Sequence, residues 1–252
     1  MAGTVSNIVM ESFKADFDKI KGKEFKSNRR SNTGIGKTFE DIIGVEENNN
    51  LLVDYKGEIE LKSQRAYTQS KITLFTKALT SPPSATSSIV EKYGSPDPVY
   101  PQHKIIHSCA QGTNFNSLKG RWGFKLDVRR DESRIYLLIK DLQTGKIVEN
   151  DIYWSFDDLK DGVETKCKNI AYITAKTKKI GEEEYFTFEK AVLLSGLTFN
   201  AFLDHIENDI IVFEIRKGVF KSGKNKGQPH DHGGGFRIAK KKIDLVFKRE
   251  QI

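Results

Sequence analysis

Cysteine, proline, tryptophan and methionine are all scarce in this chain of 252 residues, which has two Cys, six Pro, two Trp and two Met. Cys109 and Cys167 lie far apart and outside any CxxC pairing, which excludes a disulfide framework and a cysteine-ligated zinc centre and fits a reducing compartment. No run approaches the roughly twenty apolar residues that span a bilayer, and the first ten residues lack a basic-then-apolar leader. A cytoplasmic location is therefore expected. Repeats, low-complexity blocks and long linkers are missing too, so a single main domain over residues 1–252 is the expectation.

What is present is a composition balanced for a globular core, with 37% hydrophobic and 30% charged residues. The formal net charge of +7 is unevenly placed. Between Arg216 and Arg249 eleven Lys and Arg face two acids, Asp231 and Asp244, and between Lys14 and Lys37 eight face three. Dense positive charge beside phosphates releases condensed counterions and gives sequence-independent affinity for nucleic acid. A solvated, lysine-rich surface has the same composition.

The periodicities alternate between helix and strand, which predicts a mixed α/β fold. Ile8, Val9, Phe13, Phe17 and Ile20 predict a helix over about 5–20, followed by a polar, basic loop at 21–31. Thr38 is placed to cap a second helix with an apolar face of Phe39, Ile42 and Ile43, with Asp41 completing a capping box and an end near Gly44. Strands are predicted at 51–53, 58–62, 72–75, 136–139, 170–173, 185–188 and 210–216. Leu197, Ala201, Phe202 and Ile206 return to helical spacing, and the Pro- and Ser-rich run 81–101 reads as a long irregular loop.

Gly36-Lys37-Thr38 looks like the end of a nucleotide-binding Walker loop. Such a loop needs a glycine where Ser31 stands and a buried strand where the basic run 23–30 stands, so that reading fails.

The chemically informative segment is Leu51-Leu-Val-Asp-Tyr-Lys-Gly-Glu-Ile-Glu-Leu-Lys62. It reads as two strand arms about a turn at Lys56-Gly57. Alternation puts Glu58, Glu60 and Lys62 on one face and Ile59 and Leu61 on the other, with Asp54 on the first arm able to lie beside Glu60. Adjacent carboxylates repel, and a divalent cation relieves that repulsion while a lysine compensates their charge. Phosphodiester hydrolysis requires a metal that neutralises the phosphate and a group that positions or deprotonates water. Asp54 and Glu60 would hold magnesium, and Lys62 would serve the water or stabilise charge on the phosphorus. An exposed amphipathic strand gives the same alternation without chemistry.

In the basic C-terminal third, Glu214 and Arg216 stand two apart on a predicted strand and so share a face. An arginine there can bond guanine O6 and N7, and a carboxylate can accept from cytosine N4, while a salt bridge to a neighbouring strand is the structural alternative.

Six stretches carry a resemblance: Asn32-Thr-Gly-Ile-Gly-Lys-Thr-Phe-Glu-Asp41, Glu58-Ile-Glu-Leu-Lys62, Leu74-Phe-Thr-Lys77, Tyr153-Trp-Ser-Phe-Asp157, Ser222-Gly-Lys-Asn-Lys-Gly227 and His230-Asp-His-Gly233. In this order and spacing, from residue 32 to 238, the chain resembles the MvaI/BcnI family of type II restriction endonucleases. The resemblance implies a PD-(D/E)xK nuclease fold of the MutH-like kind, a mixed β-sheet flanked by helices around a DNA-binding cleft. It implies a catalytic part at about 1–135 and a DNA-recognition part at about 136–252. Asp54, Glu60 and Lys62 take the metal-binding and catalytic places, and Glu40 takes a supporting acidic role. Five residues separate Asp54 from Glu60, one more than the family pattern, which makes Glu58 a rival for the metal-facing place. Val53 stands where the family has proline, and Glu214 where it has aspartate.

The resemblance further implies DNA contacts by Glu214, Arg216, His230, Asp231, His232 and Arg237. Lys221, Lys224 and Lys226, interleaved with glycines, suit backbone phosphates. His230 and His232 invite a transition-metal or HNH-type reading, but no third ligand is evident nearby. The implied activity is Mg2+-dependent hydrolysis of double-stranded DNA at a short pseudopalindromic site of the form CCWGG, with CCSGG or a relaxed centre as alternatives. The enzyme would be a monomer that nicks one strand at a time, protected in its host by a cognate DNA methyltransferase. Two other readings share these residues, a MutH-like mismatch-repair nicking enzyme and a non-catalytic sequence-specific DNA-binding protein.

Overall fold

The computed structural model describes residues 5–29, 33–45 and 53–252. In chain order its elements are α1 (Asn7–Ile20), β1 (Glu24–Lys26), α2 (Gly34–Ile42), β2 (Glu60–Arg65), β3 (Ile72–Thr76), α3 (Ala85–Tyr93), β4 (Ser95–Pro96), β5 (Lys104–Ala110), β6 (Asn116–Leu118), β7 (Trp122–Arg129) and β8 (Arg134–Asp141). They continue with β9 (Ile147–Glu149), β10 (Tyr153–Ser155), α4 (Phe156–Lys166), β11 (Asn169–Ile180), β12 (Glu183–Ser195), α5 (Phe199–Glu207), β13 (Ile211–Val219), β14 (Pro229–Asp231), β15 (Gly235–Ile238), α6 (Ile243–Val246) and β16 (Lys248–Gln251).

Two compact units form, one from Met1–Ser70, Glu164–Thr198 and Ile243–Ile252, the other from Lys71–Val163 and Phe199–Lys242. The boundary expected near residue 135 falls inside β8, within the second unit. The units interleave in sequence because distant strands pair. β2 runs parallel to β11, matching Glu60 to Ile170 and Lys62 to Tyr172, and β3 pairs with β15, matching Phe75 to Phe236.

The first unit is built on the sheet β1-β12-β11-β2, with β16 also on β12. Helix α1 presents Val9, Met10, Phe13, Phe17 and Ile20 to the core, whereas Ile8 is 83% exposed. Phe13, Phe17 and Phe39 pack with Tyr55 and Phe188 in a chain of edge-on and tilted rings. Ile59 and Leu61, on the buried side of the β2 segment, join the same core. The basic loop after α1 contains β1, which finds its partner residues far ahead in β12.

Helix α2 begins at Gly34, four residues before the expected cap. Ile35 and Phe39, one turn apart, are both buried, and Lys37 pairs with Asp41 at 2.7 Å, so the helix gains an extra turn at its start. Thr38 is inside it, its hydroxyl accepting from the Asn28 N–H. The expected end near Gly44 is met, with Gly44 at φ 74°.

The second unit holds two sheets, β10-β8-β7-β6 with β9 on β8, and β3-β15-β13-β5-β4 with β14 on β13. Its core gathers Trp154, Phe213, Phe236, Phe75 and Phe202, with ring centroids 4.5–5.7 Å apart along the chain of contacts. The run 81–101 is ordered rather than an irregular loop. It carries α3, whose Ala85, Ile89, Val90 and Tyr93 are buried at helical spacing, and then β4. The serines and threonines between those positions hide the pattern in the sequence. The expected strand at 51–53 lies outside the described residues except for Val53.

Candidate functional site

The turn at Lys56-Gly57 forms as expected. Tyr55 and Ile59 close it by a two-residue bridge, and Lys56 and Gly57 take φ of 49° and 73°. Both central residues are left-handed, which a glycine relieves and a β-branched residue would not. With Ile59 completely buried, the pleat fixes the opposite face, and β2 begins there with Glu60 and Lys62.

Asp54 and Glu60 come together in the first unit. The Asp54 carboxylate accepts the Leu61 N–H at 2.8 Å through Oδ2, which ties the first arm to the second. Burial and then the negative charge of Glu60 push the Asp54 carboxyl above its usual value, against the pull of that hydrogen bond and of Lys62 and Lys166. Glu60 is 5% exposed. Its Oε1 lies 2.5 Å from Lys62 Nζ and its Oε2 lies 2.9 Å from Lys166 Nζ.

Lys166 was not singled out in the sequence, 106 positions from Glu60. It sits in the last turn of α4, just before β11, whose pairing with β2 brings it to the centre. Cys167 follows it, completely buried, with its thiol pushed up to about 12 by desolvation. A thiol held neutral in this way is inert as a nucleophile.

Glu58 is turned to another task. Its carboxylate accepts from the N–H and the hydroxyl of Ser6, at 2.7 and 2.9 Å, at the start of α1. Ser6 is the N-cap of that helix. The rival metal ligand is thus a helix-start acid, which a helix dipole favours. Glu40 stands half-buried on α2, a helix that packs against β2.

The donor set suits a hard divalent cation. Two carboxylates converge, Asp54 Oδ1 accepts no hydrogen bond among the described residues, and the like-charge repulsion seen at Asp54 is what a cation removes. Among the described residues no cluster of three or more His, Cys, Asp or Glu is arranged around one point. A pair of carboxylates matches an ion such as magnesium that keeps most of its waters.

In the second unit Glu214 and Arg216 project from one face of β13, which lies between β15 and β5. Glu214 is 7% exposed and accepts from Lys71 Nζ at 2.6 Å through Oε1, while its Oε2 lies 3.2 Å from Arg237 Nε and 4.0 Å from His107 Nε2. Burial pushes the Glu214 carboxyl up, but Lys71, Arg237 and Arg216 outweigh it and hold it below the usual range. Arg237 is equally buried, and its Nε makes no hydrogen bond. Desolvation and the neighbouring Arg216 lower its pKa, though an arginine stays charged. Glu214 is therefore in a cross-strand ion pair as it stands, the structural alternative raised above. Lys71 and His107 belong to this cluster and were missed, because only the pairing of β13 with β5, which sets Arg216 against His107, brings the histidine in.

His230 stacks on Phe220 with centroids 3.8 Å apart and planes at 10°, and His232 lies 3.8 Å from His230 on the same face. The His232 N–H donates to the Arg216 carbonyl. Burial and the charges of His230 and Arg216 lower the His232 pKa, so it is biased towards the neutral ring. Asp231 accepts from the Gly233 N–H at 2.8 Å and is exposed. Of the three lysines, Lys224 and Lys226 are exposed, whereas Lys221 Nζ is held 2.5 Å from both oxygens of the buried Asp97.

Comparison with known proteins covers the chain as a whole. The structure is similar to that of a restriction endonuclease MvaI–cognate DNA substrate complex, with a TM-score of 0.89 and 34% identity over 98% of this chain and 99% of that one. It is also similar to restriction endonuclease MvaI in the absence of DNA, with a TM-score of 0.59 and 31% identity over 99% of each chain. Comparison with curated protein sequences gives no match. The sequence pattern of the MvaI/BcnI restriction endonuclease family runs from residue 14 to 247, beyond the span of the motifs at both ends. Pattern and fold agree over nearly the whole length, and the chain belongs to the MvaI/BcnI restriction endonuclease family.

Proposed function

We propose that this chain is a Mg2+-dependent type II restriction endonuclease that hydrolyses double-stranded DNA at a short pseudopalindromic site, with Asp54, Glu60 and Lys62 as its catalytic residues and Glu40 as a supporting acid. The observation that carries the reading is the pairing of Asp54 with a nearly buried Glu60 whose two oxygens meet Lys62 and Lys166. Asp54 and Glu60 would hold the ion. When bound, it supplies charge neutralisation at the scissile phosphate and a more acidic water. Lys62, on the same strand face as Glu60, positions the attacking water or steadies charge on the phosphoryl oxygens. The Leu61 N–H keeps Asp54 aimed, and buried Ile59 and Leu61 keep the strand from slipping register.

Reading of the sequence falls to Glu214, Arg216, His230, Asp231, His232 and Arg237, with Lys224 and Lys226 on phosphates and Lys221 in the same loop. Glu214 and Arg216 have complementary base-edge chemistry for G·C pairs. The site is of the form CCWGG, with CCSGG or a relaxed centre as alternatives, and a cognate methyltransferase protects the host. The two units act as one cytoplasmic enzyme, the first cutting and the second reading. One catalytic centre per chain and an odd-length site fit a monomer that nicks one strand, then rebinds to cut the other.

Digestion of unmethylated supercoiled plasmid with Mg2+ alone, followed by sequencing of the ends, tests this. Fixed ends within a five-base-pair pseudopalindrome are expected, with nicked circles preceding linear product. Absence of any cleavage, or ends at random sequences, would refute the reading. Linear product with no nicked intermediate would refute the one-strand mechanism.

A further inference from the structure

We propose that Lys166 is a positioning residue of the metal centre, an ammonium that occupies one oxygen of Glu60 while no divalent ion is bound and surrenders it when the ion arrives. This rests on Asp54 and Glu60 being the metal pair.

Glu60 has a side chain only 6% exposed, and both of its oxygens are committed, Oε1 to Lys62 and Oε2 to Lys166. A cation that ligates this carboxylate therefore meets an ammonium on either oxygen, and moving one aside frees a lone pair and weakens the opposing field. The two lysines are not equally placed to leave. Lys62 is two residues along the same strand, and the chemistry needs it beside the water. Exposure does not separate them, at 24% for Lys62 and 27% for Lys166, but Lys166 comes from α4 and lies farther from Glu60, at 2.9 against 2.5 Å, so its charge can swing outward without moving the strand.

The charges agree with this division. Asp54 and Glu60 bring two negative charges, which Lys62 and Lys166 offset with two positive ones. A lone buried carboxylate pair would be costly, and breaking one partner out of a buried ion pair leaves the other uncompensated. Lys166 thus keeps the carboxylate pair folded and aimed, and the same field opposes any incoming cation. An opposite charge a few ångströms away shifts a carboxylate's proton affinity by roughly one to three powers of ten, and its effect on a metal ion has the same sign.

The test is titration of Mn2+ into the full-length protein without DNA, by calorimetry or by the free-ion signal in electron paramagnetic resonance, with thermal unfolding in chelator alongside. Lys166→Met should bind Mn2+ about tenfold more tightly than wild type, unfold at a lower temperature in chelator and gain more on adding Mn2+. Lys166→Gln, which retains a hydrogen-bond donor without the charge, should tighten Mn2+ in the same direction and serves if the methionine variant does not fold. Lys166→Arg should return towards wild type. Unchanged or weaker Mn2+ binding in the neutral variants would overturn the proposal. Asp54→Ala separates the two readings: it should abolish Mn2+ binding, and if it does not, the metal pair itself is misassigned.

Discussion

At the scale of single residues, the Asp54–Glu60 pair holds two like charges close together at a cost in stability. Burial and the nearness of Glu60 push the Asp54 carboxyl up, so the folded chain holds that proton more tightly than the unfolded chain does. An acid shifted in this direction costs stability once pH is above its raised value, and the cost fades as pH falls through that value towards the ordinary one. In chelator, Asp54→Asn is therefore expected to melt at a higher temperature than wild type at neutral pH, with the gap closing as pH falls. Added Mn2+ should raise the melting temperature of wild type and not of the variant. Calorimetric melts across pH check both, and a variant less stable than wild type in chelator would contradict the like-charge account. The nearness of Asp54 to Glu60 is legible in the sequence from their order around a turn, whereas their place with Lys62 in a site comes from the family resemblance. Lys166, Lys71 and His107 were not legible, because strand pairings between remote segments carry them in.

At the scale of elements, the hairpin at Lys56-Gly57 does two jobs. It presents Asp54 and Glu60 on one side and lends Glu58 to the start of α1. Glu58→Ala removes the acceptor of the Ser6 N–H and hydroxyl, and the expected loss is about 1 kcal/mol, typical of an N-terminal cap, with cleavage unchanged. Urea unfolding and plasmid cleavage on the same preparation measure this, and a cleavage defect without a stability defect would return Glu58 to the metal. Periodicity revealed α1, α5 and the central strands, since their buried faces repeat regularly. It concealed β1, whose three residues show no pattern until β12 pairs with them, and α3, whose buried positions are separated by serine and threonine. The start of α2 was misplaced because capping chemistry at Thr38 competed with burial of Ile35, and burial prevailed.

At the scale of the whole molecule, the sequence foretold the family and the excess of positive charge, but not the weaving of the chain through two units. Charge in the 221–227 loop is divided. Lys224 and Lys226 are exposed, and Lys221 is held by Asp97. Alanine at Lys224 or Lys226 should weaken DNA binding equally on specific and unrelated duplexes and lower the salt slope of binding by about 0.9 each. Fluorescence titrations at several salt concentrations read this, and selective loss on the specific duplex would assign those lysines to bases instead. The central claim, that Asp54, Glu60 and Lys62 form a metal-dependent hydrolytic centre, is met most directly by Lys62→Ala. Plasmid cleavage in Mg2+ and duplex affinity in Ca2+, measured on one preparation, should show cleavage abolished and affinity within about twofold of wild type, since the lysine serves the chemical step and not the grip. Cleavage that survives the substitution, or affinity that vanishes with it, would contradict the account.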